Sequence, residues 1–234
     1  MTDMFVCDIG RTRYADAWQL QQQIFVARSA QHIPDILLLT EHEHVFTLGK
    51  TADKNHLLAT TDELTARSID TFDVDRGGDI TYHGPGQLVG YPIIDLSSHY
   101  HDTHRYLRDV EEALIIALAD LGITAGRHPD FTGVWVGDEK IAAIGVKISR
   151  WITMHGFALN VSTDLSLFDR IIPCGIFHKG VTSIEKVLGR PVALSDVAHI
   201  VAHRFSEVFH SKSQWIPREE LEGLAPSKSR GILI

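Results

Sequence analysis

In residues 103–122, "THRYLRDVEEALIIALADLG", Leu107, Val110, Leu114, Leu118 and Leu121 recur three or four positions apart with charged residues between them. That spacing gathers the apolar side chains into one stripe of an α-helix, and Gly122 suits the left-handed residue that closes it. Residues 13–31 set Tyr14, Trp18, Gln21, Gln22 and Phe25 at helical intervals and predict another helix. "DILLLTEHEHVFTLG" then reads as two strands around a charged turn, a hairpin. "KIAAIGVKIS" and "WITMHGFALNVS" are β-rich and joined by a short polar turn at Arg150, which predicts a second hairpin. Ser195 is placed to cap a last helix in which Val197, Val201, Phe205 and Phe209 share a face, and residues 212–234 read as a mobile tail. Strand blocks mixed with helices, without strict βαβ alternation, predict an α+β fold with a mixed, mostly antiparallel sheet covered by helices. No repeat, low-complexity tract or Gly/Ser linker divides the chain, so residues 1–234 read as a single domain.

Composition adds limits. At 44% hydrophobic and 22% charged, the chain is of ordinary globular type. Twenty-two basic against thirty acidic residues give a net charge of −8, which argues against a nucleic-acid partner. No apolar run reaches the roughly 18 residues of a membrane span, and "MTDMFVCDIGRTRYADAW" has neither a basic start nor an apolar signal core. A cytoplasmic protein with no membrane partner is the expectation. The two cysteines, Cys7 and Cys174, lie far apart and read as separate thiols.

The chemistry gathers in three stretches. "RGGDITYHGPGQLVGYPI", residues 76–93, holds five glycines and two prolines with Arg76, Tyr82, His83 and Gln87 between them. It is neither a Walker loop nor a Rossmann fingerprint, but its backbone N–H groups and Arg76 suit an acyl oxygen, and its glycines leave room for a ligand. Cys174, in "RIIPCGIF", follows a residue with fixed φ and precedes a glycine, a corner suited to presenting a nucleophile. A free cysteine is more commonly a small buried hydrophobe, and Cys7 is assigned that role. Lys140 opens a strand on whose face alternation also places Ala142, Ile144, Val146 and Ile148. Desolvation there would favour its neutral amine and make it a proton acceptor, whereas the plainer alternative is an ammonium snorkelling to water. His83 and His155 are further candidates for a base or a structural hydrogen bond. "EHEH" offers no recognised zinc spacing, so no metal or cofactor is expected.

Taken together, "RGGDITYHGPGQLVGYPI", "GVWVGDEKIAAIGVKISRWITMHGFALNVSTDL" and "IIPCGI" resemble the octanoyltransferase family of lipoate biosynthesis, in order and in spacing. The resemblance implies the fold of biotin and lipoate ligases. It also implies transfer of an octanoyl group from acyl carrier protein to a lysine ε-amine on lipoyl domains of 2-oxoacid dehydrogenases or on the glycine cleavage H protein. By motif it puts the acyl-thioester nucleophile on Cys174 and its activating base on Lys140. The substrate-lining residues would be Arg76, Gly77, Gly78, Asp79, Ile80, Thr81, Tyr82 and His83, then Ala143, Ile144 and Gly145, then Gly156, Phe157 and Ala158. Asp79 departs from the Gln or Lys expected there. An acidic carrier protein would need a local basic face, for which Lys147, Arg150, Arg170, Lys179 and Lys186 are candidates. The alternative is an ATP-dependent lipoate or biotin ligase of the same fold, which would share the strand lysine but have no need of Cys174. A non-catalytic acyl-binding protein with the same groove is a more distant alternative.

Overall fold

The computed structural model describes residues 2–172 and 180–225, and in it the apolar stripe of residues 103–122 forms the longest helix. The chain runs β1 (Thr2–Thr12), α1 (Tyr14–Ser29), β2 (Asp35–His42), β3 (Val45–Leu48), α2 (Thr61–Ala66), β4 (Asp70–Asp73), β5 (Ile80–His83) and β6 (Gln87–Ile93). It continues with α3 (Thr103–Asp120), β7 (Val134–Val136), β8 (Glu139–Ser149), β9 (Ile152–Asn160), β10 (Gly180–Val181), α4 (Ile184–Leu188), α5 (Leu194–Val208), β11 (Ser211–Trp215) and α6 (Arg218–Leu224). The Asp102 carboxylate accepts from Arg105 N at the start of α3, and Gly122 lies just past its end with φ +82°.

The larger sheet has the order β10-β8-β9-β6-β2-β1-β11, with β7 also paired to β8. Its centre is antiparallel (β2–β6–β9–β8), whereas β1 pairs in parallel with β2 and β11, and β10 with β8. The fold is thus α+β with a mixed sheet. Arg150 and Trp151, both with φ above +50°, make the tight two-residue turn of the β8–β9 hairpin.

The first expected hairpin does not form. Leu37 and Leu39 of β2 face one core and Ile36 and Leu38 the other, so the apolar run is buried on both faces. Both its edges are taken, by β1 and β6, leaving no ladder for β3. The chain crosses instead at Glu43 and His44 into a separate three-stranded sheet, β4-β3-β5. Ser195 is not a cap: Ala193 precedes α5 without a side-chain cap, and Ser195 lies inside the first turn. The stretch read as a tail from residue 212 folds at its start into most of β11 and all of α6.

Helices cover both faces of the large sheet. Tyr106, Val110, Leu114 and Leu118 of α3 and Val201 and Phe205 of α5 pack with Leu88 and Leu159 on one side. Ala17, Leu20, Ile24 and Phe25 of α1 pack with Val89, Tyr91 and Ile93 on the other. Each large side chain so buried contributes on the order of 1.5–3 kcal/mol. The small sheet lies beyond β6, and its strand β5 carries the glycine-rich stretch towards β8 and β9.

Candidate active site

The loop before β5 is fastened to β8. Gly77 N donates to Val146 O at 2.9 Å, and a Cβ on Gly145 would sit 3.1 Å from both Gly77 O and Arg76 Cδ. Glycine at 145 is therefore what allows the loop to lie against the strand. Gly78 takes a φ of +88°, a conformation that L side chains rarely adopt. The Arg76 guanidinium is buried and donates from Nη2 to Thr47 O at 2.7 Å and to Thr47 Oγ1 at 2.9 Å. Arg76 thereby ties the loop to β3, a role that the sequence did not suggest.

Between this loop, the small sheet and the β6–β9–β8 surface lies a cavity of about 520 Å³. Arg76, Gly77, Gly78, Asp79, Ile80, Thr81 and His83 line it, as do Ala143, Ile144 and Gly145 of β8, Gly156, Phe157 and Ala158 of β9, and Lys140. The cavity thus collects all but one of the expected lining residues. Tyr82 is the exception. It is fully buried in the cluster under the small sheet, packed edge-on to Phe168, and its hydroxyl meets His44 Nδ1 at 2.7 Å. The cavity also takes in Tyr14, Val89, Tyr91, Leu107 and His155. Of these, the sequence marked only His155 as a candidate for the chemistry, and read Tyr14 and Leu107 as positions on helix faces.

Lys140 is half-buried, with its Nζ 4.8 Å from the centre of the Trp135 ring. Its strand position pairs with Val181 of β10, and Lys140 O accepts from Thr182 N. Cys174 lies outside the described residues. The chain on its N-terminal side is held at Ile172, whose N donates to His56 O at 2.9 Å. On the C-terminal side it is held by the pairing of Gly180 with Glu139 and of Val181 with Lys140.

The cavity wall carries several buried titratable groups. Gln87 Nε2 donates to Tyr82 O and Asn160 Oδ1, which turns Gln87 Oε1 towards His83 and fixes the proton of His83 on Nδ1, 2.8 Å away. Burial pushes His83 down to about 3, so it is neutral at pH 7. His42, behind it, is pushed down to about 4 for the same reason, and accepts at Nε2 from the Tyr91 hydroxyl at 2.6 Å. His155 donates from Nε2 to Asp75 Oδ1 at 2.7 Å, and Lys147 Nζ holds the other carboxylate oxygen at 2.6 Å. These hydrogen bonds hold Asp75 well below the usual carboxylate range, while burial keeps His155 below its ordinary value. Asp79 Oδ2 meets His56 Nδ1 at 2.5 Å, and Asp79 Oδ1 is buried with no hydrogen-bond partner among the described residues. Cys7 is fully buried and its thiol is pushed up to about 12 by that burial, as suits a structural cysteine.

The expected basic face is largely neutralised. Lys147 pairs with Asp75, Arg170 with Glu63 and Lys186 with Glu139, while Lys179 lies outside the described residues. Arg150 remains at the hairpin tip.

Residues 13–206 match the family described as the lipoyl protein ligase A/B catalytic domain. The chain is 55% identical to the octanoyltransferase of Rubrobacter xylanophilus, over 85% of this chain and 90% of that one. It is 51% identical to the octanoyltransferase of Solibacter usitatus (86% and 90% covered) and 45% to that of Caldicellulosiruptor saccharolyticus (95% and 96% covered). Among solved structures it is similar to lipoate-protein ligase A bound with ATP, with a TM-score of 0.77 at 20% identity over 96% of this chain and 92% of that one. It is likewise similar to a bi-partite lipoate protein ligase from Thermoplasma acidophilum, with a TM-score of 0.76 at 20% identity, 96% and 91% covered. At such identity these likenesses show the fold alone. Matched along most of its length, the chain belongs to the lipoyl protein ligase A/B catalytic domain family and, within it, to the octanoyltransferases, acyltransferases of lipoate biosynthesis.

Proposed function

We propose that the chain carries an octanoyl group from octanoyl-acyl carrier protein to the ε-amine of a lysine on a lipoyl domain, through a thioester on Cys174, with Lys140 as the base. The observation that carries this reading is the cavity, in which small residues of β8 and β9 line a space and Lys140 lies on its wall. Six buried methylenes of an octanoyl chain contribute roughly 5 kcal/mol at about 0.8 kcal/mol each, enough to favour eight carbons over four.

In the first half, Lys140 takes the Cys174 thiol proton, the thiolate attacks the carrier thioester, and the carrier sulfur leaves with that proton. In the second, the lysine amine attacks the Cys174 thioester. A C–N bond replaces the C–S bond, and the Cys174 sulfur is released as a thiol. Exchange between thioesters is nearly isoenergetic and amide formation from a thioester runs downhill, so the sequence of steps needs no ATP.

The test is intact mass measurement after incubation with octanoyl-acyl carrier protein and no nucleotide. A hydroxylamine-labile octanoyl adduct is expected on the native protein and not on Cys174→Ser. Absence of the adduct, with acylation of a lipoyl domain only when octanoate and ATP are supplied, would favour the ligase alternative. Lys140→Ala is expected to fold and to acylate slowly at neutral pH, partly recovering at higher pH where the thiol ionises unaided. Equal rates for variant and native protein across that range would remove Lys140 from the mechanism.

A further inference from the structure

The transfer proposed above sets a problem that the thioester half does not. An acceptor lysine has a reference pKa of about 10.4 and arrives as an ammonium, and an ammonium entering a largely apolar cavity loses hydration. An anion on the cavity wall would offset that loss. Among the described residues two carboxylates line the cavity, Asp79 and Asp130. The Asp130 side chain is 75% exposed, so any charge it offers is screened by water. Asp75, nearby, has one oxygen held by His155 and the other by Lys147.

Asp79 is different on each count. It is 7% exposed, and its backbone is fixed because Gly49 N donates to Asp79 O at 3.1 Å. His56 holds Oδ2, and Oδ1 is left without a partner among the described residues. Buried carboxylate oxygens are normally satisfied, and leaving one bare costs on the order of 1–3 kcal/mol. His56 is also the residue whose carbonyl anchors Ile172, two positions before Cys174 in the chain. The pair therefore combines a spare acceptor, a fixed backbone and a hydrogen bond to the chain at Ile172, two positions before the proposed nucleophile.

We infer that Asp79, oriented by His56, is the docking group for the acceptor amine, with Oδ1 receiving the ε-ammonium of the incoming lysine. This rests on the two-step transfer proposed above. Asp79 holds the nitrogen by an N–H···O bond. The first proton passes to the neutral Lys140 amine and on to solvent. The second leaves the nitrogen as the C–N bond forms and ends on the departing Cys174 sulfur. Asp79 is thus specific to the amine half of the reaction, because a carrier thiol brings no positive charge to bind.

The test uses protein preloaded with octanoate from octanoyl-acyl carrier protein and compares two single-turnover transfers, one to the lysine of a lipoyl domain and one back to the thiol of unloaded carrier protein. Asp79→Asn is expected to raise the half-saturating lipoyl-domain concentration about tenfold or more, the loss of one charged hydrogen bond, while return to the carrier thiol slows far less. Asp79→Glu should recover part of the loss. His56→Gln, which keeps the charge but weakens its mount, should show the same pattern more mildly, and it carries the test if Asp79→Asn does not fold. Equal slowing of both transfers would mark Asp79 as a structural part of the wall and overturn the inference, as would no change in either. Failure of the native protein to form the octanoyl adduct would instead overturn the transfer reading itself, and this inference with it.

Discussion

Two groups of buried polar side chains border the same cavity and are wired differently. At Tyr91, His42, His83 and Gln87 the hydrogen bonds leave little spare: Gln87 uses both ends of its amide, and Tyr91 donates to His42. At Asp79 a single histidine holds one oxygen and the other is left over. A satisfied network fixes the shape of a wall, whereas an unsatisfied group implies something yet to arrive. The first group should therefore govern stability, and the second, transfer.

The largest expected effect is acid destabilisation. His42 and His83 are held at about 4 and about 3, below the unfolded value near 6.5, so the unfolded chain binds more protons between those limits. Their contribution is fully present above about pH 6.5 and is lost as pH falls, with roughly 4 kcal/mol gone by pH 5. Urea unfolding at a series of pH values reads this directly, and a flat profile from pH 7 to 5 would show that these rings are not held neutral. Next, Gln87→Leu should cost roughly 3 kcal/mol, since it strips partners from His83, Tyr82 O and Asn160 together. Asp79→Asn should cost under about 1 kcal/mol in the same assay, because Oδ1 has no bond to lose. Were the two variants equally unstable, the distinction between wall and docking group would collapse. Comparable in size is Gly145→Ala, whose Cβ would crowd Gly77 O and Arg76 Cδ at 3.1 Å. A loss of about 1 kcal/mol with slower acylation is expected, and unaltered acylation would mean that the loop can retreat from β8 without consequence.

Patterns carried by one element were legible in the sequence, and those made between elements were not. The stripe of α3 and the β8–β9 hairpin follow from local periodicity and a short turn. The β2–β3 hairpin was misread because nearness in sequence predicts pairing unless both edges of a strand are already occupied, and that depends on β1 and β6. The glycine-rich loop and the small residues of β8 and β9 stood out as motifs. Tyr14 and Leu107 join the cavity from α1 and α3 as single side chains with no local signal. Tyr82 was misplaced because a motif names a run of residues, whereas in the structure its ring packs beneath the small sheet. The pairing of His56 with Asp79 spans 23 residues and follows only from how the small sheet meets its connecting turn.

The parallel pairing of β1 with β11 bears on the order of assembly during synthesis. Thr2 and Ser211 touch across a separation of 209 residues, so a ribosome must add all of that intervening chain after β1 before that edge can close. Until then β1 has β2 on one side and an open ladder on the other, the kind of edge that recruits strands from other molecules. A nascent chain stalled shortly before Ser211 should therefore be the form most dependent on chaperones.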